Sequence, residues 1–333
     1  MKKTKTILIT GGTSGIGREA ALLLAEQGHR VYAASRKPSM DPMPGVMYVP
    51  LDVRSADSIR DCLESVLAQA GQIDVLVNNA GYVGPSGASE EVSLEDVRSL
   101  FETNFFGVVQ IVNAVLPGMR QRRSGLILNV SSAAGRMAIP PFFGFYSSSK
   151  HALEGYSEAL SSELRPLGIR VAIVEPGYFA TNIHTTFNPP TNPLADFALE
   201  REHAFAVDGF SIRHGRDPHQ VAQLIGRLVN GTPLRLRYPS GLDIRYMLTL
   251  RAVLPEKVFE GYARWFLIGG QAVKISDDDD ILRHKIGFRR YLLESPVADR
   301  LMTGTWGALI LLGMAGLGFL LKQERGRSHS DRD

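Results

Sequence analysis

This sequence predicts a doubly wound parallel α/β sheet with a C-terminal helical extension, and three observations carry that expectation. Short apolar runs rich in β-branched residues alternate with amphipathic segments at helical spacing. A glycine-rich turn joins the first apolar run to the first helical segment. The chain has 333 residues and is 44% hydrophobic, which suffices for a buried core without requiring two domains.

The first strand is Thr6 to Thr10. Gly11-Gly12-Thr13-Ser14-Gly15-Ile16-Gly17 forms the turn. Arg18 to Gln27 follows as a helix, with Ala20, Leu23, Leu24 and Gln27 at helical spacing and Gly28 as its stop. A strand, a glycine turn and a helix present backbone N–H groups and a helix N-terminus to a pyrophosphate. Glycine belongs where a side chain would block the phosphate or the neighbouring strand. The spacing is Thr-Gly-x-x-x-Gly-x-Gly, with glycines at 11, 15 and 17, not G-x-G-x-x-G. A tight turn without a ligand is the competing reading. The second strand, Arg30 to Ser35, ends in Arg36-Lys37. An NAD site places an acidic residue there for the ribose 2′-hydroxyl. A guanidinium instead forks onto a 2′-phosphate, so Arg36 predicts NADP(H) over NAD(H). Further strands are expected at Val46 to Leu51, Ile73 to Val77, Gly125 to Val130, Ile169 to Glu175 and Leu234 to Tyr238. The helix Tyr146 to Arg165 carries an apolar stripe of Leu153, Tyr156, Leu160 and Leu164, read as core or dimer packing. Asp217-Pro218-His219 starts a later helix.

Tyr146 and Lys150 are one helical turn apart and share a helix face. A free tyrosine titrates near 10 and carries protons poorly at neutral pH. A nearby ammonium lowers that value, so the phenol can exchange a proton with a carbonyl or alcohol oxygen. Alone, the spacing also fits a surface helix with a snorkelling lysine. Here it stands with a serine pair, Ser131-Ser132, and the glycine turn.

With these residues the chain resembles the short-chain dehydrogenase/reductase family from Thr6 to about Tyr238. The motifs are Thr10-Gly11-x-x-x-Gly15-Ile16-Gly17, Leu51-Asp52-Val53, Asn78-Asn79-Ala80-Gly81, Asn104, Ser132, Tyr146-x-x-x-Lys150 and Pro176-Gly177-Tyr178-Phe179-Ala180-Thr181. The resemblance implies a Rossmann-type fold and a role for each residue. Asp52 and Val53 would flank the adenine, and Asn79, Ala80 and Gly81 the ribose side. Ser132 would hydrogen-bond the substrate oxygen, with Ser131 as the alternative. Tyr146 would act as acid in reduction and base in oxidation. Lys150 would hold the nicotinamide ribose, and Asn104 a relaying water. Thr181 and the backbone of Pro176, Gly177 and Phe179 would position the nicotinamide carboxamide. Thr13, Ser14 and Ile16 belong to the same phosphate turn. The Ser132 to Tyr146 gap is one residue longer than the family pattern, which places the extra residue in Ile139 to Phe143. Family members that prefer NADP often carry a basic residue at the position of Ser14, so Arg36 would carry that preference alone. A homodimer or homotetramer through Val97 to Val115 and Tyr146 to Arg165 is also implied.

Cys62 is the single cysteine, which excludes an internal disulfide and reads as a buried thiol. The histidines show no metal-ligand spacing, so no metal is expected. A net charge of +3 is too small to argue for nucleic acid. The start, Met1-Lys2-Lys3, precedes the first strand rather than a signal peptide, because the apolar run is too short.

Asn182 to Arg216 is loop-rich, with Phe187, Phe197, Phe205 and Phe210, which suit either a lipophilic substrate or an ordinary lid core. The tail beyond Leu248 resembles hydroxysteroid- and retinol-dehydrogenase-like members. Asp277 to Asp280 precedes basic residues in the order that matches a helix dipole. Leu301 to Leu321 carries no charge between Arg300 and Lys322, is long enough to span a bilayer, and has Trp306 near one end. The expected organisation is a catalytic domain over 1–270, a juxtamembrane segment over 271–300, a transmembrane anchor over 301–321 and a polar tail over 322–333. The catalytic domain would be cytoplasmic, attached to membrane lipid through this C-terminal helix. The expected activity is NADP(H)-dependent interconversion of a carbonyl and an alcohol on a lipophilic small molecule, such as a steroid, a retinoid or a long-chain keto-lipid. A non-catalytic NADP-binding sensor or membrane scaffold is the rival from another class.

Overall fold

Branched and aliphatic side chains at every position make the first strand, β1 (Thr6–Thr10), a fully buried element, as parallel strands covered on both faces require. A computed structural model describes residues 4–39, 41–138, 141–232 and 235–268. After β1 come α1 (Gly15–Glu26), β2 (Arg30–Ser35), β3 (Val46–Pro50), α2 (Ala56–Ala70) and β4 (Val75–Asn78). A short β5 (Gly84–Pro85) precedes α3 (Leu94–Phe101), a π-helical turn over Glu102–Phe106, and α4 (Gly107–Arg122). The chain continues through β6 (Gly125–Val130), α5 (Gly144–Leu164), β7 (Ile169–Pro176), β8 (Phe187–Asn188) and α6 (Ala198–Arg213). It closes with α7 (His219–Val229), β9 (Arg237–Ser240), α8 (Leu242–Val253) and α9 (Glu256–Ile268).

The main sheet has the order β3-β2-β1-β4-β6-β7-β9, and its pairs are all parallel. Chain direction across the sheet reverses between β1 and β4, which opens a crevice at their C-terminal ends. One core packs α2, α4 and α5 on one sheet face, through residues such as Leu63, Ile111 and Leu160. The other packs α1 and α7 on the opposite face, through Leu24, Ile225 and Leu228. Cys62 is buried in the first of these, and burial pushes its thiol up to about 12. A third cluster joins α8 and α9 to Met137 through Ile244, Met247, Leu250 and Phe259.

The expected strands are present, with ends shifted by up to three residues. The last begins at Arg237 rather than Leu234. The stripe on α5 is core: Leu153, Leu160 and Leu164 are buried, and Tyr156 packs against them.

The expected C-terminal membrane location is corrected. Among the described residues, the helix with the length and composition to cross a membrane is Leu94–Arg122, an internal segment. It packs Leu100, Ile111, Val112 and Met119 into the domain interior, so its apolarity serves the core. The anchor expected at 301–321 lies outside the described residues, as do the segments 271–300 and 322–333.

Gly168 turns the chain between α5 and β7 with φ 72°, and a Cβ there would lie 2.3 Å from the Arg123 carbonyl oxygen. The backbone opposite has no slack to give. Gly168→Ala should therefore cost about 1–3 kcal/mol, read as a lower midpoint in urea denaturation.

Candidate active site

The crevice at the C-terminal edge of the sheet holds most residues singled out from the sequence. Thr10 ends β1, and its hydroxyl accepts from the backbone N–H groups of Asn79 and Ala80, 3.0 Å each. Asn79 Nδ2 adds hydrogen bonds to the carbonyls of Thr10 (3.1 Å) and Gly11 (3.0 Å). This four-bond clamp shapes the glycine loop. Gly17 serves that closure rather than ligand access, because a Cβ there would meet Gly11 O at 2.3 Å and Asn79 Nδ2 at 2.4 Å. Thr13 ties the loop to the end of β2 by donating to Ser35 Oγ at 2.9 Å.

Helix α1 begins at Gly15 with no side-chain cap from Ser14 and no acidic residue in its first turn. Those free N–H groups and the positive helix end suit an anion. They open into a cleft of about 1010 Å³ whose wall carries Arg18, Arg36, Lys37 and Arg54 beside Asp41 and Asp52. Asp52 is committed to Arg54 through contacts of 3.0 and 2.7 Å, and this pairing, against the cost of burial, holds its carboxyl below the ordinary range. The donor set fits a nucleotide with a diphosphate and an additional phosphate.

The cleft runs past Gly81 and Tyr82 into a second cavity of about 200 Å³. Tyr146, Lys150 and Ser132 line it, together with Ile16, Asn79, Gly81, Pro176, Gly177, Phe179 and Thr181. Phe179 lies buried in the sheet core, and its neighbours are fixed by Ala180 N donating to Arg216 O at 2.8 Å. Ser132 reaches the Tyr146 phenol and caps the following turn by accepting from Ala134 N at 3.1 Å. Ser131 also lines the cavity, but its Oγ is buried without a hydrogen bond of normal geometry, and its hydroxyl acts on the Glu154 carboxyl rather than on the phenol. Of the two serines, the fold brings Ser132 to the phenol.

The expected lowering of the tyrosine by the lysine is not what the packing produces. Lys150 Nζ lies 6.0 Å from the Tyr146 ring centre and donates to Val130 O at 3.1 Å. Burial dominates both groups: it pushes Tyr146 up to about 12, against the Ser132 hydrogen bond. It also pushes Lys150 down to about 8, against Glu154. Asn104 sits in the π turn, fully buried. Its amide donates to Tyr82 O (2.9 Å) and Ser149 Oγ (3.1 Å), and its Oδ1 accepts from Tyr82 N (3.1 Å). One amide hydrogen is thus spent on the loop after β4 and the other on α5, and the side chain has one acceptor site left to offer a water.

Several residues to which sequence reasoning gave no such role hold α5 in place. Asn78 donates to Asn129 at 2.8 Å, and Asn129 donates to Ser157 at 2.8 Å, a buried chain linking β4, β6 and α5. Below it, Arg237 of β9 reaches Glu154 (3.2 Å), Glu158 (3.2 Å) and Glu175 (3.4 Å), while Arg136 reaches Glu175 at 3.2 Å. Burial and the adjacent Glu154 push Glu175 up to about 7, against both arginines. The available signal was spacing: Tyr146, Lys150, Glu154 and Glu158 recur every four residues on α5.

The phenylalanines near the lid form its core. Phe142, Phe143, Phe187, Phe197 and Phe205 make ring contacts from 4.5 to 6.4 Å, and of these Phe143 lines the cavity. The lid is fastened by a buried Glu91–Arg201 pair, with Glu91 also accepting from the N–H groups of Ala88 and Leu194. The Phe210 side chain lies outside the described residues.

The two serines make separable predictions. Ser132→Ala should lower kcat for carbonyl reduction by about 100-fold or more. Ser131→Ala should change kcat only a few-fold and show instead as a lower melting temperature. Steady-state rates and thermal denaturation of both variants check this.

Comparison with known proteins agrees with this geometry. Residues 5–192 match the family model described as short chain dehydrogenase. A 3-ketodihydrosphingosine reductase of Bacteroides thetaiotaomicron is 42% identical over 264 residues, covering 78% of this chain and 97% of the relative. Human retinol dehydrogenase 8 is 33% identical, covering 75% and 85%. Among solved structures, a short-chain dehydrogenase of Streptomyces avermitilis is 32% identical with a TM-score of 0.68, covering 79% of this chain and 97% of that one. The chain belongs to the short-chain dehydrogenase/reductase family, related to its hydroxysteroid- and retinol-dehydrogenase-like members.

Proposed function

We propose that this protein is an NADP(H)-dependent oxidoreductase that interconverts a carbonyl and an alcohol on a lipophilic substrate. The observation that carries the reading is the meeting of Ser132 and Tyr146 in a cavity walled by Met137, Phe143, Ile183, Ile212, Ile244 and Met247, continuous with the basic cleft. The names of the relatives point the same way, since a keto-sphingoid base and retinol are both lipids. Steroid, retinoid and long-chain keto-lipid substrates all suit such walls.

The phosphate turn, Gly11 to Gly17, would receive the diphosphate at the start of α1. Arg36 would meet the 2′-phosphate, and Asp52 and Val53 the adenine side. Asn79, Ala80 and Gly81 would line the ribose. Pro176, Gly177, Phe179 and Thr181 would bound the nicotinamide. When bound, the cofactor supplies hydride for reduction or accepts it in oxidation.

Ser132 donates a hydrogen bond to the substrate oxygen as charge develops there. Tyr146 gives its phenolic proton to that oxygen in reduction and takes it back in oxidation. Lys150, whose Nζ would lie 3.5 Å from a Cβ added at Gly81, would hold ribose hydroxyls. Apolar walls exclude water, which strengthens each of these contacts. Self-association through α3 to α5 belongs to the same proposal, with Phe106 left 46% exposed on that side.

Two outcomes are expected. Tyr146→Phe should bind NADPH normally and lose about 10²- to 10⁴-fold in turnover of steroid, retinoid or long-chain carbonyl compounds; a variant of normal rate would refute the mechanism. Wild type should have a higher kcat/KM with NADPH than with NADH, and Arg36→Ala should erase about tenfold or more of that ratio. A wild-type preference for NADH would reverse the cofactor assignment.

A further inference from the structure

The arginine–glutamate group beneath α5 reaches to within one helical turn of the reaction centre. Glu154 follows Lys150 by four residues on α5, and both are buried, at 4% and 5% exposure. Both also reach the end of β6. Lys150 Nζ donates to Val130 O at 3.1 Å, and the hydroxyl of the next residue, Ser131, acts on the Glu154 carboxyl. Gly135 closes this packing: a Cβ there would lie 2.6 Å from Ser131 Oγ, 3.0 Å from Glu154 Cγ and 3.1 Å from Lys150 O.

We propose that Glu154 is a positioning residue for cofactor binding: its carboxylate is the buried counter-charge that keeps Lys150 an ammonium, and so keeps Lys150 donating strongly to the ribose hydroxyls. This rests on the reading of the crevice as an NADP(H) site and deepens it.

An ammonium this deeply buried has given up its water, which favours loss of its proton. The Val130 carbonyl returns a hydrogen bond but no charge. Asn104, which meets Lys150 at Gly81, and Tyr146 on the same helix are neutral. Asp208 of α6 acts on the phenol. Among the described residues, the carboxylate that favours the ammonium is Glu154. It does so only while ionised, and its own neighbours decide that. Glu158 on α5 and Glu175 on β7 are the like charges of the group, and Arg136 and Arg237 are its cations. Arg237 Nε donates to Glu154 Oε2 at 3.2 Å and lies 3.4 Å from Glu175 Oε1. Two carboxylates compete for one guanidinium nitrogen. Glu175 has the longer contact and titrates at about 7, so the proton near neutrality goes there and Glu154 keeps its charge. Lys150 then titrates at about 8. Without Glu154 the ammonium is lost at still lower pH, and a charge-assisted hydrogen bond gives way to a neutral one roughly half as strong. The sign follows: the carboxylate matters little well below the Lys150 titration, where the lysine is charged in either case, and most at and above it.

The test reads the Lys150 proton directly. The full chain, labelled with carbon-13 at lysine Cε and free of cofactor, is titrated by NMR as wild type, Glu154→Gln, Glu154→Asp and Glu175→Gln, with Lys150→Met to assign the signal. NADPH dissociation constants are measured on the same proteins at about pH 6 and about pH 8. Glu154→Gln should lower the Lys150 titration by about one pH unit. It should weaken NADPH binding about fivefold at about pH 8 and less than about twofold at about pH 6. Glu154→Asp, with its charge withdrawn by one methylene, should show a smaller drop. Glu175→Gln removes an equally buried carboxylate from the same group and should leave Lys150 where it is. A Lys150 that titrates in Glu154→Gln as in wild type overturns the inference, as does an equal drop in Glu175→Gln. A lowered titration with unchanged NADPH affinity at about pH 8 overturns it too. Should Glu154→Gln not fold, as thermal melts would show, Glu154→Asp decides by the same titration, an unmoved Lys150 being the overturning result. A wild type that binds no NADPH overturns the cofactor reading and the positioning role with it, while the lysine titration still shows whether Glu154 sets the charge.

Discussion

Everything at the reaction centre depends on how α5 is seated against the parallel sheet. Tyr146 and Lys150 are useful only if that helix holds one rotation and one height. An apolar stripe alone tolerates sliding, because one leucine fits a neighbour's place nearly as well as its own. The Asn78–Asn129–Ser157 chain does not tolerate it, since each amide has one matching partner and an unmade buried hydrogen bond is costly. The arginine–glutamate group below it adds a second fixed point. There the cost of breaking a buried pair exceeds the benefit of having formed it.

The same principle organises the other half of the crevice. Asn79 and Ala80 donate four hydrogen bonds to Thr10 and Gly11 across the ends of β1, β4 and the glycine loop. The loop is therefore prepared before any ligand arrives. Such preorganisation lowers the ordering cost of binding, and it explains why Gly17 is required by the protein's own backbone contacts rather than by a phosphate.

The sequence made the sheet readable because buried parallel strands leave short unbroken apolar runs, and the glycine turn and Tyr146–Lys150 spacing are local patterns. What stayed hidden was long-range. Arg237 and Glu154 are separated by 83 residues, and no spacing rule joins them. Ser131 and Ser132 are equivalent as letters and differ only in which way the backbone turns each hydroxyl. The lysine was expected to govern the tyrosine, but burial outweighs a cation that is itself desolvated. The apolar stretch 301–321 drew attention to the C-terminus, whereas the described segment of membrane length is an internal core helix.

The π turn at Glu102–Phe106 gives one last consequence. It stores one surplus residue between α3 and α4, and the Gly107 N–H closes the wide turn on Glu102 O. In a regular helix each residue advances the azimuth by roughly 100°. A π turn takes up its extra residue within one wide turn, so removing it would let the segment tighten into α-helix with Ile111, Val112 and Met119 still facing the interior. What the surplus residue supplies is the seat of Asn104 against Tyr82. A chain shorter by that one residue would keep its core and lose that seat.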